Sequence, residues 1–287
     1  MIIPPQLSAN CTKTPERHSW LGNLPALLEM LKECWSLQVG RPFEHATCSW
    51  VAPVLRSDGT PAVLKLGMPH MEGRDEIEGL RFWNGGATVR LFEADDQHRA
   101  MLLEQCAPGT VLRSEPESAQ DVLITTLLRR LWKAQSPATG LEHFRHLSAL
   151  VEFWRLETLT QRRSWPDAAL VEDGMQVMRQ LAYPASTDTL LVTDLHAGNV
   201  LKSEREPWLV IDPKPFVGDR SYDPVQHLIN CETRLHTDPI GLVGRVADLA
   251  EVDAQRLRLW TFARAAAEPR DDWKNTRWMD IARKLAH

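Results

Sequence analysis

The sequence predicts an α+β fold, with a small antiparallel-sheet lobe over residues 1–105 and a larger, mainly helical lobe over 106–287. Three observations predict it. Asp58-Gly59 lies between two apolar runs, which is a β-hairpin signal. Beyond Ala107-Pro108-Gly109 apolar residues recur at helical spacing, first as Ile124, Leu127, Leu128 and Leu131, then as Leu147, Leu150, Val151 and Trp154. Two short apolar runs, Leu190-Leu191-Val192 and Trp208-Leu209-Val210-Ile211, interrupt that helical half, and each runs into an acidic loop.

The elements follow in order. Residues 1–18 carry three prolines and little periodicity, and are expected to form an irregular arm. Leu24, Leu27, Leu31 and Cys34 fall on one helical face. Phe43 to Val54 is rich in β-formers, and Ala62 to Leu66 reads as the returning strand. The Asp58-Gly59 turn between them is expected to be type I′, a turn that requires positive φ. Over 71–84 the spacing of Ile77, Leu80 and Trp83 predicts a helix, stopped by Asn84-Gly85-Gly86. Val89 to Phe92 and Ala100 to Glu104 read as two more strands around a polar turn. The β-rich lobe meets the helical lobe near 104–109; a further helix is expected over 167–182, and helices again from about 222. No internal repeat is found.

Composition narrows the function. The formal charge is −5, from 33 basic and 38 acidic residues. That argues against a nucleic-acid grip, which depends on a basic surface to displace counterions, and it suits a cationic small substrate. No apolar run approaches the roughly 20 residues of a membrane span, and Met1 to Asn10 has no basic segment before an apolar core. A cytoplasmic protein is expected, its five scattered cysteines reduced thiols without a C-x-x-C pair. The 11 tryptophans are expected mostly in the core.

The chemistry concentrates in two loops, Thr193-Asp194-Leu195-His196-Ala197-Gly198-Asn199 and Asp212-Pro213-Lys214. Kinase-type phosphoryl transfer needs a carboxylate for the acceptor hydroxyl, hard oxygen ligands for Mg²⁺ and a lysine on the phosphates. Asp194 to Asn199 fits D-L-x-x-x-N, Asp212 the later aspartate, and Ala62-Val63-Leu64-Lys65 the strand that ends on the lysine. Glu76, on the following helix, is placed to pair with Lys65. His196 has no second histidine or cysteine nearby at zinc-ligand spacing, and is expected to support its loop or lean toward the phosphates. Asp219 and Asp223 are expected to cap a helix and bond the catalytic loop. Asp238, Glu268, Asp271, Asp272 and Trp273 offer carboxylates and an aromatic face to a guanidinium or ammonium substrate.

The run Val192 to Leu201, followed by Trp208-Leu209-Val210-Ile211-Asp212-Pro213, resembles the aminoglycoside phosphotransferase family, in its streptomycin 6-kinase / hydroxyurea-resistance kinase branch. Asp58 to Lys65, Trp83 to Leu91 and Leu102-Leu103-Glu104 match as well, so the resemblance spans about 40–225. It implies a protein-kinase-like two-lobed fold that uses ATP and Mg²⁺ to phosphorylate a hydroxyl of an antibiotic, most simply the 6-hydroxyl of streptomycin. It also implies residue roles: Asp194 as catalytic base, Asn199 and Asp212 as metal ligands, Lys65 as the phosphate lysine, and Glu76 as its partner. Glu104 to Ala107, including Cys106, would be the hinge that meets the adenine, and Glu44 to Ser49 occupies the place of the nucleotide-covering loop. Where the family usually has His-Gly before the aspartate, this chain has Val192-Thr193. The alternatives are a kinase of another small metabolite or of hydroxyurea, and a nucleotide-binding module of the pseudokinase kind.

Overall fold

The computed structural model describes residues 1–134, 140–270 and 272–286. It divides into two compact units, the first made of Met1–Thr110 with Leu201–Ile211, the second of Val111–Val200 with Asp212–His287.

The first unit opens with α1 (Pro5–Cys11) and α2 (Pro15–Cys34), where an irregular arm was expected over 1–18. Of the prolines that suggested an arm, Pro4 is the N-cap of α1, and Pro5 and Pro15 are the first residues of the two helices. There the missing N–H costs nothing and the fixed φ favours the helix. Thr14 caps α2 by accepting from the Arg17 N–H at 3.3 Å. Leu7 and Cys11, one turn apart, are fully buried. On α2 the buried face is Leu24, Leu28 and Leu31, while Cys34 is exposed.

Next come β1 (Gln38–Val39), β2 (Ser49–Leu55), β3 (Pro61–Gly67), α3 (Glu76–Trp83), β4 (Leu91–Asp95) and β5 (Ala100–Glu104). The strands form one antiparallel sheet in the order β1-β2-β3-β5-β4. The β2–β3 hairpin turns on three residues instead of a type I′ pair. Arg56 N–H bonds Thr60 O, Gly59 N–H bonds Arg56 O, and in the turn only Gly59 has positive φ, at 81°. That is a type I turn closed by a left-handed glycine.

Strand alternation sets the two faces of the sheet. Ala62, Leu64 and Leu66 pack with Trp50, Ala52, Val54, Ala100, Leu102 and the two leading helices. Val63, Met101 and Leu103 face the other way, onto Ile77 and Leu80 of α3. Lys65 lies between Leu64 and Leu66 and so points with this second set, toward α3. Asn84, left-handed at φ 47°, ends α3 as its sequence suggested.

The hairpin of β7 (Val200–Lys202) and β8 (Trp208–Val210) comes late in the chain, yet residues 201–211 belong to the first unit. Leu209 packs on Ile77, Leu80 and Val89, and Val210 exchanges backbone bonds with Val89 and Ala87. Only nonlocal packing decides this, so a division of the chain at 105/106 does not anticipate it.

The second unit holds α4 (Glu117–Lys133), α5 (Leu147–Thr160) and α6 (Ala168–Leu181). The short pair β6 (Thr189–Leu191) and β9 (Phe216–Gly218) follows, then α7 (Val225–Asn230), α8 (Glu232–Thr237), α9 (Pro239–Ala250), α10 (Ala254–Ala267) and α11 (Arg277–Ala286). Helix α10 is buried along most of its length, from Leu257 to Ala267. Gly174 of α6 permits its approach, because a Cβ there would lie 2.6 Å from that of Ala266. Among the described residues no helix is long and apolar enough to cross a membrane.

A charged cluster centres on the buried Asp121 and His227 of this unit. Asp121 accepts from His227 Nε2 at 2.8 Å, from both Nη atoms of Arg234 at 3.0 and 2.8 Å, and from Arg245 Nε at 3.0 Å. Cys231 Sγ lies 3.9 Å from His227 Nε2. Burial alone would raise the carboxyl's pKa, but its three cationic partners hold it well below the usual carboxylate range. Burial would likewise lower the imidazole's, yet the bond to Asp121 pushes it up to about 9. Two guanidiniums and a protonated imidazole already satisfy the carboxylate, a set that suits an ion-pair network and not a metal.

The linkage gives a pH signature. The His227 contribution is complete below its unfolded pKa of about 6.5 and is lost as pH rises through about 9. The Asp121 contribution is present above about 3.9 and is lost in acid. The melting temperature is therefore expected to fall between pH 6.5 and 9, and His227→Gln to flatten that fall. An equal slope in both proteins would contradict the assignment.

Candidate active site

In the first unit, Lys65 Nζ meets Glu76 Oε1 at 2.5 Å. The residues are 6% and 4% exposed, so the ammonium is held by a desolvated partner rather than waving in water. Glu104, at the end of β5, accepts from Arg205 Nε and Nη2 at 2.8 Å each, and from the Arg90 N–H at 3.0 Å. Arg205 also donates to Gly85 O and Thr88 O. Burial works to raise the Glu104 pKa, but Arg205 outweighs it and the group stays ionised below its ordinary range. The expected hinge is thus anchored through its side chain, which leaves recognition there to backbone atoms. Burial, reinforced by Glu104, pushes the Cys106 thiol up to about 11 and so keeps it protonated. Glu44 to Cys48 lie in the connection between β1 and β2, and Ser49 opens β2.

In the second unit, β6 delivers the chain into a tight loop. Asp194 N–H bonds back to Val192 O at 2.7 Å, and Thr193 adopts φ 47°. A β-branched residue is strained in that region, which is the conformation a glycine would take there without cost. Asp223 and Lys214 hold Thr193 and its neighbour Val192. The Thr193 N–H donates to Asp223 Oδ1 at 2.8 Å, its hydroxyl donates to Lys214 O at 2.6 Å, and the preceding Val192 N–H donates to Asp223 at 3.0 Å. Asp223 is fully buried and accepts from Trp132 Nε1 as well, at 2.9 Å. Burial pushes its pKa up to about 6 against these donors. Asp219 caps the short turn before α7 through Ser221 N–H and accepts from Trp260 Nε1 at 2.7 Å.

Asp194 Oδ1 accepts from Gln226 Nε2 at 2.8 Å. Asn199 Nδ2 donates to the Asp194 carbonyl at 3.0 Å, so Oδ1 is the atom Asn199 offers to a cation. Asp212 stands at φ 53° and is ion-paired with Lys214. Asp212 and Asn199 supply hard oxygens only, which fits Mg²⁺. His196 Nδ1 accepts from Gly198 N–H at 3.0 Å, and its Nε2 is 3.9 Å from Asp194 Oδ1. Burial, then Arg113, lowers its pKa to about 4. His196 thus braces its own loop through the Gly198 N–H.

The residues suggested for substrate have structural partners. Asp238 caps α9 by accepting from Gly241 N–H at 2.9 Å. Glu268 pairs with Arg264 at 2.5 Å, and Asp272 accepts from Lys274 N–H at 2.9 Å. Trp273 is buried, with its indole N–H on Gln161 at 2.6 Å and its ring beside Trp165, so it presents no open aromatic face. Asp271 lies outside the described residues. Sequence reasoning missed Gln226, Arg264 and Arg205. All three act through contacts distant along the chain, and no short motif marks them.

The chain is 34% identical over 271 residues to a streptomycin 6-kinase of Streptomyces glaucescens, covering 91% of this chain and 88% of that protein. It is 35% identical to one of Streptomyces griseus, covering 87% and 83%. A hydroxyurea phosphotransferase of Kitasatospora aureofaciens is 34% identical, with 84% and 71% covered. Among solved structures, a choline kinase of Streptococcus pneumoniae has the same fold at a TM-score of 0.61 and 13% identity, covering 91% of this chain and 99% of that one. A spectinomycin phosphotransferase in complex with ADP and spectinomycin aligns at 0.52 and 13%, covering 90% and 93%. The two-lobed, kinase-like α+β fold expected from sequence is the one found. Residues 35–271 match the aminoglycoside/hydroxyurea antibiotic resistance kinases as a family, and with both loops built as described, the chain belongs to that family.

Proposed function

We propose that this protein transfers the γ-phosphoryl group of ATP to a hydroxyl of streptomycin, with Mg²⁺ as its metal, in the cytoplasm. The observation that carries the reading is the braced Asp194–Asn199 loop, in a chain about a third identical to two streptomycin 6-kinases over most of its length. Asp194 orients the acceptor hydroxyl and takes its proton as the new P–O bond forms. Asn199 and Asp212 would hold Mg²⁺, which would supply positive charge to the phosphate oxygens. Lys65, fixed by Glu76, neutralises phosphate charge on the nucleotide. Backbone groups of Glu104 to Ala107 receive the adenine. The net charge of −5 favours a cationic acceptor.

A second reading takes hydroxyurea as acceptor, and the Kitasatospora aureofaciens relative favours it. An ATP-coupled assay with Mg²⁺ and each acceptor in turn separates the two. ADP release that depends on streptomycin is the expected result, and turnover with hydroxyurea alone selects the second. Binding of Mg·ATP without turnover on any hydroxylated acceptor would instead favour a non-catalytic nucleotide-binding module.

A further inference from the structure

Behind Asp194 runs a chain of side chains that the reaction as outlined does not use. Gln226 of α7 donates from Nε2 to Asp194 Oδ1 at 2.8 Å and accepts at Oε1 from Arg264 Nη1 at 2.9 Å. Arg264 of α10 donates from Nη2 to Glu268 Oε1 at 2.5 Å and from Nε to Oε2 at 3.3 Å. Arg264 is 2% exposed, and its guanidinium lies 4.6 Å over the Trp154 ring and also donates to the Tyr222 hydroxyl at 3.2 Å.

The chemistry of the guanidinium fixes the direction of this chain. Arginine only donates, so the Gln226 amide must turn its oxygen toward Arg264 and its NH₂ toward Asp194. Asp194, whose carboxylate only accepts, selects the same amide orientation from the other side, so the two neighbours lock Gln226 together. Glu268 compensates the buried positive charge that holds this orientation, and the aromatic rings fix its position. We propose that Gln226, Arg264 and Glu268 form a positioning relay that sets the rotamer and plane of the Asp194 carboxylate for the acceptor hydroxyl. Glu268 then serves the base from behind, and not the substrate as its sequence neighbourhood suggested. The inference rests on the proposed phosphotransferase reading.

Gln226→Glu tests it. The variant keeps the size of the side chain and the acceptor for Arg264, but presents an oxygen to Asp194 where a donor stood. With streptomycin and Mg·ATP, kcat is expected to fall about 10- to 100-fold, the weight of a misplaced catalytic group. The calorimetric Kd for Mg·ATP and the melting temperature are expected to stay at wild-type values. Because Gln226 acts only through Asp194, adding Gln226→Glu to Asp194→Asn should cost little more than Asp194→Asn alone. Arg264→Lys, which keeps the charge on Glu268 and one donor for Gln226, should retain more activity than Gln226→Glu. Wild-type kcat in Gln226→Glu, fully additive losses in the double variant, or a kcat loss that only tracks melting temperature would each overturn the relay. The proposed function fails separately, by full activity in Asp194→Asn.

Discussion

Asp194→Asn is expected to lower kcat by about 10²- to 10⁴-fold, the usual weight of a general base, and to leave Mg·ATP affinity unchanged. Asparagine has nearly the same shape, and its amide oxygen can still accept from Gln226. It cannot take the proton of the acceptor hydroxyl. The backbone that positions residue 194 is held through Val192, Thr193 and Asp223, none of which the substitution touches. Steady-state rates beside calorimetric titration of Mg·ATP check both halves. Wild-type turnover would remove the kinase mechanism.

Asp212→Asn is expected to weaken Mg·ATP binding and turnover together, by about 10- to 100-fold or more, since even the outer partners of a bound metal carry that weight. In its proposed role the carboxylate would supply the metal an anionic oxygen that asparagine does not. It also neutralises Lys214, which is only 5% exposed, so the melting temperature should be recorded in parallel. Lys65→Ala should group with Asp212→Asn, losing nucleotide affinity as well as rate. Removing one partner of the buried Lys65–Glu76 pair also costs stability, by about 3–5 kcal/mol. Equal loss of nucleotide affinity in Asp194→Asn and Asp212→Asn would overturn the division of roles between the two aspartates.

Much of the site was legible because its parts are local in sequence. D-L-x-x-x-N and the strand that carries Lys65 are short runs whose residue types and spacing suggest the chemistry. The Lys65–Glu76 pair could be anticipated because one strand and the helix after it supply both partners. The errors also have local causes. Proline was taken as a breaker at 1–18, whereas at the first turn of a helix it is a starter. Asp58-Gly59 signalled the hairpin correctly, but turn type depends on how many residues the strands leave unpaired, and register settles that. Trp273 looked like a binding face from composition, yet its burial depends on Gln161 and Trp165, far earlier in the chain.

The α+β class, most of the strands and helices after residue 18, and the short motifs whose residue types fit phosphoryl transfer were all readable from the residues alone. Periodicity and motif spacing are properties of neighbours along the chain, so they need no fold to be read. Only the tertiary structure decided that residues 201–211 pack with the first unit. It also decided that Arg205 occupies the Glu104 side chain, and that Thr193 is held in a left-handed conformation by Asp223 and Lys214. The line from Glu268 through Arg264 and Gln226 to Asp194 belongs to the same class. The Gln226 and Arg264 contacts join residues 32 and 38 positions apart. A hydrogen bond discriminates over tenths of an ångström, and the sequence does not encode separation in space at that scale until helices and strands have packed.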